Sequence, residues 1–163
     1  MKNSIVLIAF LGLLSCNINP NNNEQEVSGV SISDNTYNIE TSQSQIIWTG
    51  RELSTSSHYG SLNFVSGTFE VLDGVIVGGE FIVDMTSINN QDMEGGSKER
   101  LEGHLKSDDF FSVDTHPTAT LSINSSELIS EGKWSISADL SIKGYTHPVN
   151  FEMISSEPVS YTH

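Results

Sequence analysis

The residues best equipped for chemistry in this chain are its five histidines and its many carboxylates, 21 Asp and Glu against 7 Lys and Arg. A metal centre or a hydrolase would draw on both. His104 and Asp108 stand four positions apart and could share one face of a helix. His58, His116 and His147 each fall near expected turns or strand ends. A transition-metal site, however, asks for ligands at short regular spacings, and the chain contains no HxH pair, no HExxH and no cysteine–histidine set. Serines are abundant, yet no GxSxG elbow raises one as a nucleophile, and no histidine or acid is placed by motif to activate one. Gly78-Gly79 and Gly95-Gly96 are not phosphate loops. The first pair sits in a strand pattern, and the second lacks the lysine that follows the last glycine of such loops. The histidines therefore read as solvated or supporting polar groups. No metal and no cofactor is expected, and an enzyme is the weaker case.

The elements that would carry these side chains are mostly strands. From Tyr37 onward the period-2 pattern dominates. In Trp134–Ile142, residues Trp134, Ile136, Ala138, Leu140 and Ile142 fall on one face, and Ser135, Ser137, Asp139 and Ser141 on the other. One dry face and one wet face belong to an antiparallel sheet. Val149–Met153 repeats the pattern after a break at Lys143–Pro148, and Ala119, Leu121 and Ile123 repeat it again. Asp73-Gly74 predicts a hairpin between Gly67–Leu72 and Val75–Asp84, because both turn positions tolerate positive φ. Glu131-Gly132 predicts a second, and further strands are expected at Gln45–Arg51 and Gly60–Val65. One helix is expected near Ser97–Lys106, with Ser97 as N-cap after two glycines and Leu101 and Leu105 on one face. Arg100 occupies the position a capping box would give to Glu, so that helix should be short. Many short strands with one helix predict a barrel or a sandwich, and the fold class is all-β.

Phe110 and Phe111 are adjacent. In an extended segment they would point to opposite sides, one anchoring the helix–strand connection and the other entering the core. One of them lines a cavity mouth, or the pair simply plugs the end of a barrel. Trp48 is likewise either a core residue or a cavity wall.

The formal charge of −14 disfavours nucleic acid, whose phosphates would be repelled. At 163 residues the chain is expected to be one domain behind a targeting segment. Lys2 supplies a positive start, and Ile5–Leu14 form an apolar stretch too short to span a bilayer comfortably. Leu13-Leu14-Ser15-Cys16 resembles a bacterial lipobox, and Cys16 is the only cysteine, so no internal disulfide explains it. Residues 1–15 are thus expected to be a lipoprotein signal peptide, with lipidation at Cys16. Residues 16–36, rich in Asn, are expected to be a disordered tether, and 37–163 the folded domain.

The segment Glu102–Phe111, running on to Thr115-His116-Pro117-Thr118-Ala119-Thr120-Leu121, goes further than any of these patterns. It reads as a helical turn, an acidic break, two aromatics and a proline-gated start of a strand. It closely resembles the signature block of the YceI-like family, exported lipocalin-like barrels that bind polyisoprenoid lipids. Tyr37–Glu40, Ile46–Gly50, His58-Tyr59-Gly60, Ser66–Phe69, Phe81–Ile88 and Asp139–Pro148 resemble the family's other strand motifs in the same order. The similarity covers residues 37 to 153.

The resemblance implies an extended antiparallel barrel of about eight strands, wide enough to enclose one small ligand. Its wall would come from the inward faces. Trp48, Leu62, Phe64, Phe69, Phe81 and Val83 are candidates from the first half of the domain. Phe110, Leu121, Trp134, Ile136, Leu140 and Phe151 are candidates from the second. Ordinary barrel packing is the competing account of each. Family members continue past the strand that corresponds to Phe151-Glu152-Met153 with strands that close the barrel, whereas Ile154–His163 offers one irregular segment containing Pro158. The barrel is therefore expected to be incomplete at the C-terminus, with an unpaired last strand.

The leading expectation is a non-catalytic protein of the bacterial cell envelope that binds, sequesters or transports a long apolar lipid, a polyisoprenoid or isoprenoid quinone. Its expected partners are that lipid, a membrane reached through the N-terminal anchor, and a second copy in a homodimer. A structural lipoprotein with a solidly packed barrel is the alternative. A metal-dependent hydrolase comes third, and it requires His58, His104, His116 or His147 to converge.

Overall fold

The computed structural model describes residues 35–51 and 56–155. The expected signal peptide, Cys16 and nearly all of the expected tether lie outside the described residues. Seven antiparallel strands and one helix follow in the order β1 (Asn35–Asn38), β2 (Gln45–Arg51), β3 (Ser57–Leu72), β4 (Val75–Asn90), α1 (Gly95–Lys106), β5 (Thr118–Ser130), β6 (Lys133–Ile142) and β7 (Tyr145–Ile154). They form one sheet in which β3, β4, β5, β6 and β7 pair in sequence, while β1 and β2 share the outer edge of β3. Among the described residues β7 pairs only with β6, so the sheet is curved but not closed.

The two-residue turns determine much of this register. Asp73 (φ 50°) and Gly74 (φ 79°) join β3 to β4, and Lys143 (φ 51°) and Gly144 (φ 76°) join β6 to β7. Two successive positive φ angles give the turn whose twist matches that of the flanking strands. The second turn shortens the expected break at Lys143–Pro148 to two residues. Pro148 lies inside β7 opposite Asp139, where it is tolerated because β7 is an edge strand.

β4 departs most from regular pairing. Between Asn63↔Asp84 and Ser61↔Asn89, β3 advances two residues while β4 advances five. The surplus is taken up by a crook that its own side chains tie. The Asp84 carboxylate accepts from the Thr86 amide (2.8 Å) and hydroxyl (2.6 Å). The Ser87 hydroxyl donates to the Asp84 carbonyl (2.6 Å) and accepts from the Asn63 amide (2.8 Å). Such short polar side chains offer the backbone local partners in place of a ladder. The crook drives Met85 and Ile88 into the core, 2% and 4% exposed.

The helix starts two residues earlier than its sequence reading and ends where that reading put it. It begins at Gly95, with Glu94 as N-cap and no side-chain hydrogen bond there, so Ser97 lies inside it. It ends at Lys106, which leaves Asp108 beyond the helix and off any face shared with His104. Leu105 is buried and Leu101 packs beside it, as their one-turn spacing requires.

Candidate functional site

The dry face of the sheet is the candidate site. Alternation places Phe64 and Phe69 of β3, Phe81 and Val83 of β4, Leu121 of β5, and Trp134 and Ile136 of β6 in one buried cluster. Trp48, Leu62, Leu140 and Phe151 are only half-buried and pack against that cluster, as does Phe110 from the segment after α1. All the wall candidates read from sequence thus meet on one apolar surface. They divide into a packed floor and a more open margin on β2, β7 and the ends of β3 and β6. Ile46, Val149 and Met153, not among the candidates, belong to the same margin. Val149 and Met153 share the alternating face of Phe151, which was the signal for them; Ile46, beside Ile47, gave none.

The two ends of this face are built differently. At the hairpin end, Trp134 Nε1 donates to the Gly74 carbonyl (3.1 Å), and the Ile76 amide donates to Ser126 Oγ (3.1 Å). The first bond reaches from β6 past β5 to the turn between β3 and β4, and the second continues the β4–β5 register. At the other end the chain after α1 does not run extended. The Phe111 amide donates to the Leu105 carbonyl (3.1 Å), Ser112 adopts φ 49°, and both the Ser112 and His116 amides close tight turns. The Phe110 and Phe111 rings therefore meet edge to face, 4.6 Å between centroids, instead of pointing to opposite sides. Both pack against the core. Lys143 Nζ donates to the Asp108 carbonyl (2.8 Å), which fastens the β6–β7 turn to this segment.

The described histidines stand in separate places. His104 lies against the ring of Phe110, His116 lies beside Gly144, and His147 is opposite Leu140 on the edge strand. Among the described residues no group of three His, Cys, Asp or Glu could hold a metal ion. The convergence that a metal-dependent hydrolase requires is not found there.

His58 does have an acidic partner. Its Nδ1 is 2.8 Å from Asp92 Oδ2, while Asp92 Oδ1 accepts from the Tyr59 amide (3.0 Å) and from Asn90 Nδ2 (2.6 Å). Asn90 is fully buried, its amide donates to Glu102 Oε1 (2.7 Å), and Lys98 Nζ donates to Asn89 Oδ1 (2.8 Å). The network fastens the start of β3, the end of β4 and α1 together. No spacing rule could find a pair 34 residues apart.

Burial alone would raise the Asp92 carboxyl. The hydrogen bonds from His58, the Tyr59 amide and Asn90, with the charge His58 can carry, outweigh it and hold the group below the ordinary 3.8. A depressed carboxyl stabilises the fold above its unfolded value, and that stability is lost as pH falls through the folded value. Asp92→Asn should therefore lower the urea midpoint at neutral pH. Its difference from the unsubstituted protein should shrink as pH falls below 3.8. A difference that stays constant over that range would mean the carboxylate's charge is not what matters.

An antiparallel all-β sheet with one helix and a continuous apolar face is the make-up of a lipocalin-like domain. The model of the YceI-like domain matches residues 37–159, most of the chain, and the protein belongs to that family. The family's fold is a lipocalin-like barrel, and it is in general a lipid- or polyisoprenoid-binding domain. None of the curated proteins compared with the chain matches it.

Proposed function

We propose that this protein binds a long apolar lipid, a polyisoprenoid or isoprenoid quinone, without catalysis, and that it does so in the bacterial cell envelope. The observation that carries the reading is the half-buried apolar margin around a packed floor. Trp48, Leu62, Leu140 and Phe151 keep apolar surface beside the cluster that Phe81 and Ile136 fill. Covering such surface with a prenyl chain contributes about 0.8 kcal/mol per buried methylene, so a long chain can bind with few polar contacts. Export and anchoring at a membrane are supported by the apolar Ile5–Leu14 stretch and by Cys16 after Leu13-Leu14-Ser15.

Protein recovered from its native envelope under mild detergent should release an identifiable prenyl lipid to organic solvent, read by mass spectrometry. Protein that is always empty and takes up no added isoprenoid would rule the function out. The packed-barrel alternative draws on the same core, because Ile136 and Ala138 have no exposed surface and Ile76 has 1%. Those three residues present almost no surface to a ligand, which supports a contact at the margin.

A further inference from the structure

His58 spends only one of its ring nitrogens on Asp92. Nδ1 is 2.8 Å from Asp92 Oδ2, while Nε2 has no hydrogen-bond partner among the described residues. Nε2 is not one of the buried side-chain atoms left without a partner, and the side chain keeps 24% of its surface exposed. The free nitrogen is therefore open to a ligand. Asp92 sets its chemistry. Asp92 Oδ1 accepts from the Tyr59 amide (3.0 Å) and from Asn90 Nδ2 (2.6 Å). Its carboxyl stays below the ordinary 3.8 despite burial, so at neutral pH it is a carboxylate. A carboxylate can only accept, so Nδ1 carries the proton and, in the neutral ring, Nε2 presents a lone pair. Asn90 is fully buried, so the group that orients the imidazole is itself held from inside the fold.

The same ring stands on the dry face. Partners in an antiparallel pair direct their side chains to one side, so His58, Gly60 and Leu62 of β3 share the face of Gly50, Trp48 and Ile46 of β2. Ile46, Trp48 and Leu62 are half-buried and pack against the core cluster, in the margin where apolar surface stays open. His58 ends that row. Its cross-strand partner is Gly50, which has no side chain to lay over the imidazole. The next place along the row is apolar, because the Trp48 ring rests on Gly60, where an added Cβ would be 2.6 and 2.7 Å from two of its atoms. One polar acceptor thus sits at the end of an apolar strip. A single hydroxyl on a long hydrocarbon fits that arrangement. A ligand that is hydrocarbon throughout would strip water from Nε2 and replace it with nothing, and so would a carbonyl or ether oxygen, which cannot donate.

We infer that His58 Nε2 is the polar contact of the lipid site and accepts a hydrogen bond from a hydroxyl at the head of an isoprenoid, whose tail covers the margin beside Trp48 and Leu62. The inference rests on the lipid-binding reading above and narrows it to isoprenoid alcohols. The test compares geranylgeraniol with its methyl ether, which has the same tail and no proton to give, using full-length protein in detergent. The alcohol should bind about 2- to 10-fold more tightly, the range one net hydrogen bond supplies. His58→Phe should bring that ratio close to one. Asp92→Asn should do the same with the imidazole in place. The introduced amide must keep its oxygen toward the Tyr59 and Asn90 donors, which turns its NH₂ toward Nδ1 and moves the ring proton to Nε2. The donor so created serves alcohol and ether alike. A histidine ¹⁵N spectrum gives a second readout. Bound alcohol should leave His58 Nε2 at a hydrogen-bonded shift, and bound ether, by excluding water, should move it to that of a bare lone pair. A preference that survives either substitution, or the same Nε2 shift with both lipids bound, would overturn the inference. Should neither variant fold, the spectrum of the unsubstituted protein decides alone. Failure of both lipids to bind would remove the lipid-binding reading itself, whereas equal binding of the two would remove only this one.

Discussion

Gly60→Ala should be among the most damaging single-atom additions to this protein. The new Cβ would lie 2.1 Å from the Asn89 carbonyl oxygen and within 2.7 Å of the Trp48 ring. The oxygen belongs to backbone, so it cannot move aside as the end of a flexible side chain would. Gly60 pairs with Trp48 on one side and with Asn90 on the other, and Asn90 is fully buried. Relieving the clash means parting β3 from the end of β4, which also loosens the Asn90 bonds to the Tyr59 carbonyl and to Asp92. Overpacking of this kind costs about 1–3 kcal/mol and occasionally more, and the rigid contact puts this site at the upper end. Urea unfolding followed by circular dichroism should show a correspondingly lower midpoint with an unchanged slope. A midpoint within experimental error of the parent would mean that β2 and β4 have slack at Gly60, contrary to the packing described.

Ile136→Ala should cost a comparable amount for the opposite reason. Ile136 is 0% exposed, stands between Ser126 of β5 and Phe151 of β7, and is flanked along β6 by Trp134 and Ala138. Removing its outer carbons leaves a void that a sheet held by ladders on both sides cannot collapse to fill. Large-to-small changes at such sites cost about 2–5 kcal/mol. Thermal unfolding should register the loss, and lipid binding should fall only as far as folded protein is lost, because the proposed contact is with the margin and not the floor. A large drop in lipid affinity with stability unchanged would instead put Ile136 in direct contact with the lipid.

Together the two substitutions separate what the apolar face does as core from what it does as surface. The wall candidates read from sequence all reached that face, but sequence had no means to divide them. Trp134 stands between Lys133 and Ser135 and Trp48 between Ile47 and Thr49, and in the sequence each reads as core or as cavity wall. Only the curl of the sheet brings Gly74 to Trp134 and leaves Trp48 without an acceptor. Phe110 and Phe111 mislead for a related reason. Their adjacency implies opposite faces only in extended chain, and the turns from Ser107 to His116 bring the two rings together.

What the sequence determined by itself is the local part of the fold. Binary alternation in β5, β6 and β7 placed their dry faces, and Asp73-Gly74 and Glu131-Gly132 placed two hairpins, because side-chain period and turn φ are properties of neighbouring residues. The motifs from Tyr37 to Met153 also identified the family that the matched residues 37–159 establish. The tertiary structure alone decided the rest. It paired His58 with Asp92 and tied Asn90 to Glu102, set β1 and β2 end to end along one edge of β3, and left one indole donor buried without a partner. Each of these depends on where strands far apart in the chain come to lie once the sheet twists and curls. That geometry is set by the packing of the whole face and by no single stretch of residues.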